Sequence, residues 1–171
     1  MKANASPLSI LDFAITKMDF NILPPPKGNE ADIDMGNYEI DIDFGIQIKD
    51  FIQVYISAKI NTEEQLPGYR LFAEAGCFFK FNDGVKLSDQ QKAEIEGYST
   101  VYIALNSLRG LISSFTANAP FGRYILPSID LNDLIAKKRD SLIADKKSNK
   151  TVASKNKKVT VKESSRKAKT N

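Results

Sequence analysis

The sequence predicts an α+β fold in which a four-stranded antiparallel sheet carries two C-terminal helices on one face. Two observations support this prediction. Apolar and polar residues alternate with a period of two over most of residues 8–81, which is typical of strands with one buried face. From Tyr98 onwards the apolar residues recur at spacings of three and four, which is typical of helices.

The first predicted strand, LSILDFAITKMDFNIL at residues 8–23, changes face partway along its length. Its apolar positions shift parity between Thr16 and Lys17, so we expect a β-bulge or a bend there. The segment PPPKGNEADIDMG follows, and its prolines and glycines predict a loop that crosses to the next strand.

The next three strands are predicted to form a meander. The segments YEIDIDFGIQIK, DFIQVYISAKIN and LFAEAGCFFKF each alternate, and short polar connections separate them. Asp41 and Asp43 are either a pair of catalytic carboxylates or the solvent-facing side of a half-buried strand. The strict alternation around them favours the solvent-facing interpretation.

The last of these strands, LFAEAGCFFKF, has two unlike faces. One face is suited to a core, and it carries Leu71, Ala73, Ala75, Cys77, Phe79 and Phe81. The other face places Phe72 and Phe78 beside the charged residues Glu74 and Lys80. Two phenylalanines are unusual on a solvated strand face. Either the strand is covered on both sides, or the protein presents this second face to a partner.

The helical part of the sequence begins near Ser88, a predicted N-cap. Between Tyr98 and Phe115 the apolar stripe is wider than one helix face, which indicates burial on more than one side. The sheet can cover only one of these sides, so we expect a second subunit to cover the other. The segment SIDLNDLIAKKRDSLI predicts a second helix, capped by Ser128 or Asp130.

Composition excludes most catalytic classes. The 171 residues include no histidine, and no nucleotide-binding or nucleophile-elbow motif occurs, so we predict no enzyme activity, no cofactor and no metal. Catalysis by carboxylates alone, or a magnesium site, is the residual alternative. Cys77 is predicted to be a buried small apolar residue. We expect a cytoplasmic protein without transmembrane helix or secretory signal, because no long apolar run occurs and one cysteine cannot form an internal disulfide.

Charge divides the chain into a domain at 1–145 and a tail at 146–171. The tail contains ten Lys or Arg residues and one Glu, a balance of +9, whereas the whole chain carries +3, so the domain carries −6. We predict that this basic tail is disordered. It is the only part of the sequence that suggests nucleic-acid binding, and it lacks aromatic residues for base stacking.

The order of elements and two segments resemble the SecB family of protein-export chaperones over roughly residues 8–145. LFAEAGCFFKF looks like the family's last strand, with an acidic residue before a glycine and an aromatic. After the long helix the family has the pattern LPPxNFxxLF. Here Pro127 matches its first proline, Asp130 stands for its Asn, Leu131 for its Phe, and Leu134–Ile135 for its Leu-Phe.

The resemblance implies a homotetramer, organised as a dimer of dimers, that acts as an ATP-independent holdase for unfolded polypeptides. In export systems it also implies delivery of preproteins to the SecA translocase. Positions matching the family's client grooves are Phe20, Ile22, Leu23, Tyr38, Ile40, Ile42, Leu131, Leu134 and Ile135. Positions matching its motor-docking face are Phe72 and Glu74, with Phe78 as their apolar neighbour. SecB-like chaperones also serve antitoxins of toxin–antitoxin modules, which is the alternative role.

Overall fold

A computed structural model describes residues 5–27 and 33–144 of the chain. Its sheet is antiparallel and has the strand order β1-β4-β3-β2, so the predicted fold class and meander are confirmed. The first strand pairs with the last, which requires the chain to cross from β1 to the far edge of the sheet. The strands are β1 (Leu8–Leu23), β2 (Ile40–Ile48), β3 (Ile52–Ile60) and β4 (Gly68–Phe81).

Strand β1 contains two irregularities in its pairing with β4. The register shifts between Ile15 and Lys17, as the parity change predicted, and also between Ile10 and Asp12. The second shift was not predicted, and it leaves Leu11 exposed in a bulge. Together the two bulges keep the flanking apolar residues of β1 on one face of the sheet.

One continuous helical run follows the sheet. It begins at Ser88, whose side chain forms a capping box with Gln91, and it comprises α1 (Asp89–Glu94), a π-helical turn (Ile95–Ser99) and α2 (Thr100–Thr116). The predicted N-cap is therefore confirmed. Helix α2 packs on β3 and β4.

The core lies between α2 and the two central strands. The residues of β3 and β4 that point toward α2 are buried, including Cys77, and their cross-strand pairs place them on the same side. On α2 the buried apolar residues are Val101, Ala104, Leu105, Leu108 and Ile112. Asp41 and Asp43 are solvent-exposed, and Asp41 forms an ion pair with Lys59 at 3.2 Å, as expected for the wet side of a half-buried strand.

A further helix, α3, spans residues 131–144 and belongs to a second compact unit that begins at Asp130. The Asp130 carboxylate accepts hydrogen bonds from the backbone N–H groups of Asn132 and Asp133, at 3.0 and 3.1 Å. This is N-capping geometry, so of the two predicted caps it is Asp130 that performs the role. The predicted basic tail at 146–171 lies outside the described residues.

No helix in the described ranges is long and apolar enough to cross a membrane.

Candidate functional site

A cluster of aromatic rings gathers where β1 ends, β4 begins and α2 ends. The Phe20 ring centroid lies 5.2 Å from that of Tyr69 and 5.2 Å from that of Phe115. Tyr69 in turn lies 5.6 Å from Phe121 in the loop after α2. Contacts at these distances are favourable packing arrangements for aromatic side chains. The cluster therefore joins three elements that are far apart in the sequence.

Hydrogen bonds fix the loop after α2 to this cluster. The Phe121 N–H donates to the Tyr69 hydroxyl at 2.7 Å, and that hydroxyl donates to the Gly122 carbonyl at 2.9 Å. The hydroxyl of Thr116, the last residue of α2, accepts a further hydrogen bond from the Tyr124 N–H at 2.9 Å. Because these backbone groups are tied to side chains, the loop is positioned by specific contacts and not by apolar packing alone.

Tyr38, a predicted client contact, is 5% exposed. Its hydroxyl accepts a hydrogen bond from the Tyr69 N–H at 2.9 Å and donates to the Pro67 carbonyl at 2.8 Å. Its ring stacks on Tyr124 with centroids 5.7 Å apart. Burial raises the pKa values of both hydroxyls, and the pKa of Tyr124 rises to about 12. Tyr38 thus connects the crossing loop to the start of β4, and its contact with clients stays a prediction.

The other predicted client residues of the sheet lie at two opposite edges. Phe20 and Ile22 lie at the end of β1 on the side that faces α2, and Ile22 is 46% exposed. Ile40 and Ile42 lie on the same side of β2 and are half-buried. Leu23 is half-buried and lies on the other face. Cross-strand pairing through β4 and β3 places Phe20 and Ile40 in one row across the sheet.

Leu131, Leu134 and Ile135, the remaining predicted client residues, occupy the first two turns of α3. Their spacing of three and four residues places them on one stripe of the helix. They belong to the second compact unit, which begins at Asp130, and their contact with clients stays a prediction.

Large apolar side chains remain exposed on the α2 side of the sheet. On the edge strands these are Ile10, Ile15, Ile22, Ile46 and Ile48, and on the helical run they are Tyr98 in the π-helical turn and Tyr102 and Phe115 in α2. As the wide apolar stripe predicted, one sheet does not cover α2 completely. Exposed large apolar side chains of this kind are candidates for an interaction surface.

The predicted docking residues Phe72, Glu74 and Phe78 lie together on the face of β4 that points away from α2. Lys17 lies over the Phe72 ring, with its Nζ 5.1 Å from the centroid, and the Thr16 hydroxyl donates to Glu74 at 2.7 Å. All three predicted residues are half-buried. The described residues therefore leave this face partly exposed, and its contact with a partner stays a prediction.

Sequence reasoning missed several aromatic residues that border these surfaces. Tyr69 and Phe121 complete the aromatic cluster, and Tyr124 stacks on Tyr38. Phe51 lies beside Phe78 on the outer face, with ring centroids 5.8 Å apart. The proline-flanked segment APFGRYILP contains two of them. Its combination of aromatic residues with turn-forming residues was the signal that could have identified an anchored loop.

Groups of three or more metal-ligating side chains do not occur within residues 5–27 and 33–144.

Comparison with known proteins supports the fold. No family model and no curated protein sequence matches this chain. Among solved structures, it is similar to Rv1957 of Mycobacterium tuberculosis, a SecB-like chaperone solved in complex with a ChAD peptide from the HigA1 antitoxin. That match has 13% identity and a TM-score of 0.50, and it covers 71% of this chain and 90% of the other. A protein of unknown function from Streptococcus agalactiae matches with 7% identity and a TM-score of 0.42, over 73% of this chain and 100% of that one. The fold of this protein is SecB-like.

Proposed function

We propose that this protein is an ATP-independent chaperone that holds unfolded polypeptides against apolar surfaces. The observation that carries the proposal is the apolar surface that a SecB-like sheet leaves exposed on its α2 side at the end of β1, where Ile22 is 46% exposed. The step from fold to function is an analogy, since one fold can host several functions. The absence of nucleotide-binding motifs in the sequence agrees with a holding activity that needs no ATP.

The energetics suit reversible holding. A groove that buries ~500 Å² of apolar client surface gains on the order of 12 kcal/mol at ~25 cal/mol/Å². Ordering a flexible client consumes most of this gain, so each contact is weak. Several grooves arranged around an oligomer then add their contributions through avidity. Binding of this type depends on apolar area and therefore tolerates many client sequences.

We further propose that the chain assembles as a homotetramer, a dimer of dimers. Tyr98 in the π-helical turn and Tyr102 in α2, together with Ile10 and Ile15 on β1, offer apolar surface that a second copy would cover. Four copies of a 19.0-kDa chain have a mass of about 76 kDa. Static light scattering at micromolar concentration tests this directly, and a monomeric mass would contradict the assignment.

Two partners fit the proposed chaperone. The similar Mycobacterium tuberculosis protein was solved with an antitoxin peptide, which favours an antitoxin as a specific client. Delivery of preproteins to a SecA motor is the other role, with Phe72, Glu74 and Phe78 as its docking surface. Both roles use the same holding activity, so they are distinguished by whether the chain binds a specific antitoxin or a SecA motor.

The experiment that tests the proposal measures aggregation of a denatured client by light scattering, without ATP. The full chain is compared with a variant that ends at residue 145, and retention of RNA or DNA is measured on the same samples. We expect suppression of aggregation by both proteins. Chaperoning that disappears with residues 146–171 would contradict holding by the folded domain, and nucleic-acid binding that depends on those residues would favour the alternative function of the tail.

A further inference from the structure

A pocket of about 400 Å³ opens on the sheet face that points away from α2, at the end where β1 stops and β4 starts. The paired residues Asp19 and Phe72, and the paired residues Asn21 and Arg70, place the two strands side by side along its floor. Its lining is formed by Asp19, Asn21, Thr62, Arg70, Leu71 and Phe72. The predicted client residue Leu23 follows two positions after Asn21 on the same face of β1.

Of the two charged residues that line the pocket, Asp19 forms an ion pair and Arg70 does not pair with any described residue. The carboxylate of Asp19 is neutralised by Lys17, whose Nζ lies 3.4 Å away and also approaches the Phe72 ring. Arg70 is half-buried, and within residues 5–27 and 33–144 its guanidinium has neither an ion pair nor a hydrogen bond. The pocket therefore presents one uncompensated positive charge, in a group that favours planar, two-point recognition of carboxylates.

Two further hydrogen-bond donors face the same space. The Asn21 amide and the Thr62 hydroxyl line the pocket, and across the described ranges neither side chain has a hydrogen-bond partner. A guanidinium, an amide and a hydroxyl are together a donor set for a single anion. Because Lys17 and Asp19 balance each other, Arg70 supplies one net positive charge, which matches a monoanionic carboxylate better than a doubly charged phosphate.

The loop that carries Thr62 is rigidly held. Asn61, which precedes it, is fully buried and has a φ of 54°, in the left-handed region. Its amide nitrogen donates to the carbonyls of Leu66 and Tyr69 at 2.7 and 2.9 Å, and its amide oxygen accepts from the Leu66 N–H at 2.7 Å. Because these bonds close the loop between β3 and β4, the pocket is preorganised and binding does not need to order it.

We propose that this pocket binds a carboxylate of the held polypeptide, with Arg70 as the charge partner and with Asn21 and Thr62 as additional donors. The proposal rests on the proposed chaperone function, because it assigns a polar subsite to the same client. The carboxylate comes either from the C-terminus or from an acidic side chain. Such a subsite adds orientation to a binding activity that apolar area alone leaves unspecific.

The test uses the full chain and three versions of a fluorescently labelled, mainly apolar 15-residue peptide. One version has a free C-terminus, one is amidated, and one is amidated with a single internal Glu. Fluorescence anisotropy compares the wild type with Arg70→Gln and with Arg123→Gln, a matched control at an exposed arginine of the α2–α3 loop that does not line the pocket.

We expect the wild type to bind at least one carboxylate peptide about tenfold more tightly than the amidated peptide without Glu. Whichever carboxylate produces the preference identifies its source. Arg70→Gln should abolish the preference and retain binding of that amidated peptide, and Arg123→Gln should keep both. Equal affinity of the wild type for all three peptides would overturn the proposal, and so would a preference that survives in Arg70→Gln.

A second probe separates this proposal from the proposed function. N-acetyl-leucine and its amide, titrated to millimolar concentration, are followed by amide chemical shifts of the full chain. We expect the acid to shift the signals of Asn21, Thr62 and Arg70, the amide to leave them in place, and Arg70→Gln to lose the response. If the acid leaves these signals unmoved, the carboxylate site is refuted even when the chain holds clients. If no peptide binds but the acid shifts them, the holding function fails and the site stands.

Discussion

Replacing Ile22 with threonine should weaken polypeptide binding while the chain stays folded. Ile22 is the most exposed of the predicted client residues on the sheet and lies at the end of β1, beside the aromatic cluster. Threonine keeps the branched β-carbon that favours a strand, so the substitution removes apolar surface with little change in strand propensity.

The expected loss follows from the exposed area. Ile22 is 46% exposed, which corresponds to roughly 80 Å² of surface that a client can cover, worth about 2 kcal/mol at ~25 cal/mol/Å². Threonine retains the β-carbon and one methyl group, so roughly half of this surface is lost, which is worth about 1 kcal/mol. The dissociation constant of an unfolded client peptide should therefore rise about fivefold.

Ile48→Thr is the matched control. Ile48 is 54% exposed and lies on the same face of the sheet as Ile22. It is the last residue of β2, at the other end of the sheet, and it is not one of the predicted client residues. Both variants are compared by fluorescence anisotropy with a labelled client peptide, and by urea denaturation and light scattering to check folding and assembly. Equal affinity losses in the two variants, or unchanged affinity in Ile22→Thr, would refute the assignment of this end of the sheet to client binding.

Three other predictions concern stability, docking and thiol chemistry. Tyr69→Phe removes a hydroxyl that forms hydrogen bonds with two backbone groups of the loop after α2. Urea denaturation should therefore show a free energy of unfolding that is lower by about 2 kcal/mol. The control Tyr98→Phe, at a position that is 40% exposed, should change this free energy little. The double variant Phe72→Ala with Glu74→Lys should impair binding of a SecA-type partner in a pull-down and leave client holding intact. Joint loss of both activities would make this face structural. Burial raises the pKa of the Cys77 thiol from 9.0 to about 11, so iodoacetamide at pH 8 should modify it only after unfolding. The pKa of the thiol is 9.0 in the unfolded chain and about 11 in the folded one, so the protonated thiol stabilises the fold below pH 9. This contribution is lost as the pH rises from 9 to 11, and the Cys77→Ala variant should not show that loss.

Local patterns in the sequence were sufficient to predict the strands and the start of the helical run. Alternation placed the strands and identified the buried face of β4, and the pair Ser88 and Gln91 formed the predicted helix start. These features depend on residues within a few positions of each other, where side-chain direction and backbone hydrogen bonding follow directly from the local chain. The bulge at Thr16 was visible for the same reason, because it changes the parity of its neighbours.

The bulge at Leu11 and the anchored loop after α2 could not be read in this way. Leu11 has the parity expected of a buried residue, and only the pairing of β1 with β4 displaces it. The Tyr69 hydroxyl meets Phe121 and Gly122, more than fifty residues further along the chain. No local pattern encodes a contact over such a separation, since the partner depends on how the sheet and α2 pack.

The sequence by itself therefore determined an α+β chain with a two-faced last strand and an α2 helix too apolar for one sheet to cover. Only the tertiary structure decided that Phe72, Glu74 and Phe78 are half-buried on the outer face of β4 and that the predicted client residues of the sheet divide between its two edges. It also placed Arg70 in a pocket where no other described residue forms an ion pair with it. The reason is physical: periodicity states which side of an element is apolar, whereas exposure and charge pairing depend on which distant elements pack against that side.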